Sequence, residues 1–329
     1  MLILNADEVR KALPMKDAIE AMKRAYASLS DKKAEAPLRS RLPIPPYEGL
    51  SLFMPAFVND NKSQALAVKV VSIFPHNMER NLPLIFATVL VLEADTGKPV
   101  ALLEGSSLTA IRTGAGSGLA VELLSRPESR VIAIFGAGAQ GRTQLEGACA
   151  VRKIKQVWIF DSNINLAKTF ASELSGLGSI PGDIRVAATA DEATQNADII
   201  CTATTSTSPV FDDEKLKPGV HICAIGSYTP QMQEIPSETV SRARIVVDSI
   251  SATLAETGDL VIPIQQGHIC AENVNTELGE IILGRKPGRK SPDEVTFFKS
   301  VGVAVQDAMA AQTALENAEK MGIGQIIAW

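Results

Sequence analysis

Cysteine and histidine are scarce in this chain, four and three among 329 residues. Cys149, Cys201, Cys223 and Cys270 are widely separated, with no Cys-x-x-Cys pair and no nearby histidine. That excludes the usual zinc and iron–sulfur ligand patterns and points to reduced, mostly buried thiols. Basic charge is not in excess either. With 37 acidic residues against 32 basic ones the net charge is −5, which argues against nucleic acid or an anionic membrane as partner. Long apolar runs are lacking: the longest, LPLIFATVLVL at 82–92, falls well short of the ~20 residues that span a bilayer. The N-terminal MLILNADEVRKAL has no basic segment ahead of its apolar residues, so no secretory leader is expected and the cytoplasm is the default compartment. The one basic cluster, GRKPGRK at 284–290, is flanked by glycine and proline and reads as a solvated loop.

What the sequence does have is 46% apolar residues, ample for two cored domains. Asn5 is placed to cap a helix through ADEVRKAL, and Pro14 separates it from a second helix, MKDAIEAMKRAYASL, with Ile19, Met22, Tyr26 and Leu29 on one face. Residues 37 to 103 then read as strands separated by turns, the last two joined by DTGK, which makes this an α+β region. SSLTAIRTGAGSGLAVELL at 106–124 reads as a helix crossing to the next domain. From residue 130 strands and single helical segments alternate, the pattern of a doubly wound parallel α/β sheet. SVGVAVQDAMAAQTALENAEKMG reads as a closing helix and IGQIIAW as a terminal strand.

The chemistry begins at VIAIFGAGAQGRTQ, residues 131–144. Gly136, Gly138 and Gly141 form G-x-G-x-x-G between a strand and a helix. The first glycine suits the tight turn, the second the approach of a pyrophosphate, and the third close helix–strand packing. The helix N-terminus adds free N–H groups and partial positive charge. Twenty residues beyond Gly141, at the end of the next strand, Asp161 can accept hydrogen bonds from a ribose diol and repels a 2′-phosphate, which favours NAD(H). Ser162 and Asn163 still leave NADP(H) open. CTATTS at 201–206 and AIGS at 224–227 close later strands where such a cofactor lies.

Three basic residues are harder to place. Lys69 interrupts ALAVKVVSIF, where burial requires an anionic partner. Arg112 sits among small residues, and either Arg39 or Arg41 precedes the strand region. Together they could clamp a substrate carboxylate, or each could form a structural ion pair. Of the three histidines, His221 opens an apolar strand and reads as structural, and His76 is the candidate for proton transfer.

With these residues in view, the chain resembles the ornithine cyclodeaminase and mu-crystallin family over nearly its whole length. The matching segments are MPAF (54–57), LTAIRTGAGSGLA (108–120), GAGAQ (136–140), HICAIGS (221–227), ETGDL (256–260), ELGEIILG (277–284) and FFKSVGVAVQD (297–307). The resemblance implies a Rossmann-type doubly wound parallel sheet at 119–304. Beside it, 1–118 rejoined by 305–329 would form an α+β substrate-binding and dimerisation domain in a homodimer. It implies Arg39, rather than Arg41, with Lys69 and Arg112 as the carboxylate-binding set. Near the dinucleotide it implies Thr88, Arg112, Thr113, Ala139, Gln140 and Asp161, then Thr202, Ala203, Thr204, Ile225, Gly226 and Lys299. One departure matters. Where ornithine cyclodeaminases have an aspartate that handles the substrate amine proton, this chain has Tyr228. A phenol of unperturbed pKa about 10 is a poor substitute for a carboxylate base.

Lys299 and its FKSVG context match the ketimine reductase branch. The resemblance therefore implies reduction of Δ1-pyrroline-2-carboxylate or Δ1-piperideine-2-carboxylate to L-proline or L-pipecolate, with Lys69, Tyr228 and His76 as candidate catalytic groups. The alternatives are an alanine-dehydrogenase-like oxidoreductase, a cyclodeaminase, and a non-enzymatic binding protein.

Overall fold

In the computed structural model, which describes residues 1–60 and 62–328, the chain divides into two units. The first is Met1–Arg112 with the C-terminal stretch from Val303, and the second is Thr113–Gly302.

The first unit opens with β1 (Leu2–Leu4), α1 (Ala6–Ala12) and α2 (Met15–Ser30). Asn5 caps α1: its side chain accepts the Glu8 N–H, and the Glu8 carboxylate accepts the Asn5 N–H. Ile19, Met22 and Tyr26 of α2 are buried, as their spacing predicts. There follow β2 (Ala34–Glu35), β3 (Ser40–Ile44), β4 (Gly49–Asn59), β5 (Gln64–Ile73), β6 (Ile85–Leu92), β7 (Pro99–Glu104) and the start of α3 (Gly105–Leu124), within which the boundary between the units falls.

Strand register decides which side chains share a face. Met54, Lys69 and Val89 stand opposite one another on β4, β5 and β6, and all three are buried. One residue along, Phe53, Val70 and Thr88 form the neighbouring row and point to the other side. That second face is open: Phe53 on β4 and Phe86 on β6 are exposed, as is Leu42 on β3.

The second unit alternates strand and helix: β8 (Val131–Phe135), α4 (Ala139–Val151), β9 (Gln156–Phe160), α5 (Ile164–Leu174), β10 (Ile184–Val186), α6 (Ala190–Thr194), β11 (Ile199–Thr202) and β12 (His221–Ala224). It continues through α7 (Ser237–Arg242), β13 (Arg244–Val247), α8 (Ile250–Glu256), α9 (Gly258–Gln265), α10 (Leu278–Ile282) and β14 (Thr296–Lys299). The sheet order is β10-β9-β8-β11-β12-β14-β13, with every pair parallel. The order reverses between β8 and β11, and in such sheets ligands bind outside the carboxyl ends of the strands at that point.

One strand escapes the sequence pattern. TFFK at 296–299 forms β14, fully buried between β12 and β13, and the following helix starts only at Ala304. Asp248 pins the exit from β14 by accepting the Ser300 hydroxyl at 2.7 Å and the Val301 and Gly302 N–H groups at 2.9 and 2.8 Å. The chain then returns to the first unit as α11 (Ala304–Met321) and β15 (Gln325–Ile326), which pairs with β1. There α11 packs on α2 and across β4, β5 and β6.

The basic cluster at 284–290 is not simply solvated. Arg289 donates to the Leu124 carbonyl at 2.7 Å and the Thr296 hydroxyl at 2.9 Å, closing the loop onto the sheet. His221 is buried between Thr296 and Cys223, and burial pushes its pKa down to about 3, so it is a neutral packing residue. All four cysteines are free. Among the described residues no helix is long and apolar enough to cross a membrane.

Candidate functional site

In the second unit the three glycines of the β8–α4 turn have separate physical reasons. Gly136 has φ +99°, and a Cβ there would lie 2.6 Å from the Ala203 carbonyl oxygen. At Gly141 a Cβ would come within 2.0 Å of the Gly136 carbonyl oxygen, so helix and strand pack too closely for any side chain. Gly138 differs: a Cβ would meet nothing within 4 Å, and no side chain caps the helix that follows. The first turn of α4, with Ala139 and Gln140, therefore presents its N–H groups beside open space, where an anion can approach them. Asp161 closes the turn. One carboxylate oxygen accepts the Ala137 N–H and the other the Asn163 N–H, both at 2.8 Å, which fixes the acid beside the glycine loop.

At the ends of β11 and β12 the structure corrects two expectations. Thr202 is fully buried, and its hydroxyl donates to Glu234 at 2.8 Å, so the side chain supports the strand end rather than facing a ligand. Lys299 is also fully buried, its ammonium 2.9 Å from Asp259, and it cannot touch a cofactor directly. Half-buried Ala203, Thr204 and Ile225 remain at the strand ends next to buried Gly226, and Tyr228 is exposed in the loop beyond.

In the first unit Lys69 has the anion that its position demands. Its ammonium lies 2.6 Å from Oδ2 of Asp307 on α11, and Arg112 Nε lies 3.0 Å from Oδ1 of the same carboxylate. Gln306 accepts from Arg112 Nη1 at 3.2 Å and donates to the Tyr26 hydroxyl at 2.7 Å. Lys69, Arg112, Gln306 and Asp307 are all buried. Burial pushes the Lys69 pKa down, Asp307 pulls it back up, and Arg112 and Arg39 lower it again, leaving about 8. For Asp307, burial raises the pKa but Lys69 and Arg112 outweigh it and hold the carboxyl below its usual range. Two cations thus share one anion, and half-buried Arg39 adds its charge to the field at Lys69. The cluster carries surplus positive charge. Neither Asp307 nor Gln306 is singled out by the sequence pattern, although a Gln-Asp pair inside the apolar run VGVAVQDAMAA is an available signal.

The remaining candidates are more peripheral. His76 is exposed in a 3-10 turn at Pro75–Arg80, 2.9 Å from Glu79 and 3.4 Å from Glu48, and these carboxylates raise its pKa. Thr88 donates its hydroxyl to the Leu103 carbonyl at 3.2 Å and lies in the open-face row of β6. Thr113, the first residue of the second unit, is buried.

A Rossmann-type sheet with an intact glycine turn, joined in one chain to an α+β unit with a buried cationic cluster, defines a two-unit α/β protein of dinucleotide-binding type. The chain belongs to the ornithine cyclodeaminase/mu-crystallin family, whose model matches residues 1–322. It is 40% identical over 328 residues to a Δ1-pyrroline-2-carboxylate reductase of Bacillus cereus, covering 99% of both chains. Among solved structures it is similar to the Thermococcus litoralis Δ1-pyrroline-2-carboxylate reductase in complex with NADH and L-proline. There the TM-score is 0.94 and the identity 41%, over 99% of this chain and 100% of that one. An archaeal alanine dehydrogenase dimer with bound NAD gives a TM-score of 0.92 and 32% identity, over 100% and 99% of the two chains.

Two stability measurements check this geometry. Gly141→Ala should cost about 1–3 kcal/mol in urea unfolding through overpacking, whereas Gly138→Ala should be close to neutral; equal losses would contradict the assigned contacts. Asp307→Asn should cost about 3–5 kcal/mol, because two buried cations lose their anion. An unfolded lysine keeps its proton up to about pH 10.4, and folded Lys69 in this variant releases it below the wild-type value. The unfolded state then binds more protons, so the deficit should shrink as pH is raised from 6 to 9. A deficit independent of pH would show that Lys69 does not titrate there.

Proposed function

We propose that the chain is an NAD(H)-dependent oxidoreductase that reduces a cyclic ketimine carboxylate, Δ1-pyrroline-2-carboxylate, to L-proline. Δ1-Piperideine-2-carboxylate, giving L-pipecolate, is the six-membered counterpart. The observation that carries this reading is the surplus positive charge of the Lys69–Asp307–Arg112 cluster. A neutral site would not bury it, and an anionic substrate would complete it. The reductase likeness at about two-fifths identity over full length supports the same substrate class. In this reading the first unit binds substrate and dimerises, and the second binds the dinucleotide.

The residues of the second unit fit that cofactor, since any side chain at Gly138 would occupy the open space in front of the α4 N–H groups. Gly136, Gly138, Gly141 and the first turn of α4 would hold the pyrophosphate, and Asp161 the adenosine ribose, which favours NAD(H). Bound there, the dinucleotide supplies a hydride to the imine carbon. The protein does the rest. Lys69, Arg112 and Arg39 fix the carboxylate and hence the orientation of the C=N bond, the main catalytic service a protein gives to hydride transfer. His76 and Tyr228 are the candidates for keeping a proton on the imine nitrogen. The cytoplasmic setting rests on four unpaired thiols, as a reducing compartment maintains them.

A second copy is the occupant we assign to the open face of the first unit. Leu42, Phe53 and Phe86 stand exposed there at 53%, 37% and 49%, an apolar surface that water disfavours. The alanine dehydrogenase relative is itself a dimer.

A steady-state assay with both cyclic imines, and with pyruvate plus ammonium, should show NADH oxidation fastest with an imine; a preference for pyruvate and ammonium would make the protein an alanine dehydrogenase instead. Arg112→Ala should abolish turnover while NADH still binds. Of His76→Phe and Tyr228→Phe, the one that removes the proton source should lower kcat with NADH affinity unchanged. For the dimer, light scattering of Phe53→Glu/Phe86→Glu should report half the wild-type mass, and a wild type of single-chain mass would refute the assembly.

A further inference from the structure

Glu234 takes no part in the reading above, yet it accepts four hydrogen bonds, as many as Asp248. It is fully buried just before α7. Oε1 accepts the Thr204 N–H and the Thr204 hydroxyl, both at 2.7 Å. Oε2 accepts the Gly226 N–H and the Thr202 hydroxyl, both at 2.8 Å. Two of these donors are backbone N–H groups that cannot reverse direction. An ionised carboxylate has about four acceptor positions, and all four meet donors here, an arrangement that suits the charged form. Burial, with neighbouring Asp259, pushes the Glu234 pKa above the usual carboxylate range, and Lys299 and the Thr204 bonds restrain the rise.

The charge around it does not balance. Asp259 accepts the Glu234 N–H at 2.6 Å on one oxygen and Lys299 Nζ at 2.9 Å on the other. Glu234, Asp259 and Lys299 are all completely buried. Two carboxylates against one ammonium leave one surplus negative charge.

Its place in the fold gives that charge a use. Thr202 ends β11, Thr204 follows it, and Gly226 lies two residues beyond β12. A Cβ on Gly226 would lie 2.3 Å from the Thr204 carbonyl oxygen and 2.5 Å from Glu234 Oε1, so the two strand ends lie directly on the carboxylate. These carboxyl ends lie across the topological switch from β9 and Asp161, so a dinucleotide with its adenosine ribose at Asp161 and its pyrophosphate on the glycine turn extends its nicotinamide half toward them. An unmatched buried charge is costly and calls for an electrostatic reason.

We propose that Glu234 is a positioning residue that also acts electrostatically, fixing the strand ends at 202–204 and 225–226 and setting a surplus negative charge one hydrogen bond beneath them. This favours the pyridinium ring of NAD+ over the neutral ring of NADH. The inference rests on the dinucleotide-binding part of the proposed function and not on the substrate. A neutral dihydronicotinamide gains a full positive charge as it loses hydride, and a fixed anion in a low-dielectric surrounding stabilises that change before it happens.

The test uses the whole purified protein without substrate. Dissociation constants for NADH and NAD+ are measured by fluorescence and by competition, for wild type and Glu234→Gln, with thermal melting as the check on folding. The ratio Kd(NADH)/Kd(NAD+) should fall at least fivefold in the variant, through weaker NAD+ binding. A purely structural role would weaken both forms by the same factor, and an unchanged ratio overturns the proposal. Should Glu234→Gln not fold, Thr202→Val keeps the charge but removes one donor, which raises the proton affinity of Glu234. Its ratio should match wild type at pH 9 and drop at least threefold below it by pH 6, since the titratable neighbours Asp259 and Lys299 are the same in both proteins. A ratio that tracks wild type throughout also overturns it. Inactivity toward cyclic imines would refute the substrate reading and leave this result standing. Failure of wild type to bind either dinucleotide would refute both.

Discussion

Two cations and one carboxylate buried together dictate much of the first unit. Lys69 stands on the covered face of β5 because strand alternation puts it there, between Met54 and Val89. Burying that ammonium alone would cost several kcal/mol even after relaxation. The anion that meets it, Asp307, comes from α11, 195 residues beyond Arg112. The return of the chain to its first unit is therefore more than a matter of packing: without α11 the sheet would hold two stranded cations. An apolar trio of similar volume would give a fold at least as stable. The cluster makes sense as a device for binding charge, held in shape by Gln306 and Tyr26.

The second unit follows the same logic with the opposite sign. Glu234 and Asp259 stand against Lys299, and again one charge is left over in a place from which water is excluded. Here the neighbours are backbone N–H groups at strand ends rather than long side chains, so the geometry is stiffer. Lys299 owes its burial to the same arrangement. It neutralises Asp259, which in turn holds the Glu234 and Ile235 N–H groups and so fixes the loop that carries Glu234.

What the sequence reveals follows the range of the interactions concerned. The glycine turn, Asp161 and the cap at Asn5 depend on residues at most a few tens of positions apart, and their spacing is visible as text. Lys69 is legible as a problem, an ammonium in an apolar strand, but not as a solution. Its partner is 238 positions away, and only the Gln-Asp pair inside an apolar run hints at it. The strand at 296–299 stays hidden because three helices and long loops separate it from β13, the nearer of the strands it joins, so the alternation that reveals β8 to β12 breaks down. Thr202 and Lys299 mislead for a related reason. Position along a motif locates a residue near a ligand, and only the packed structure tells whether its side chain turns outward or inward.

The signs of the two surpluses bear on the reaction. Reduction of an imine by a dihydronicotinamide brings together a carboxylate, which stays negative throughout, and a ring that begins neutral and ends positive. A surplus of positive charge at Lys69 and Arg112 matches the first, and a surplus of negative charge at Glu234 matches the second. Each surplus is a liability to the unit that contains it when no ligand is bound, because neither can be screened by water at such burial. Reversing either sign would keep the apolar packing of the fold intact and still oppose the chemistry.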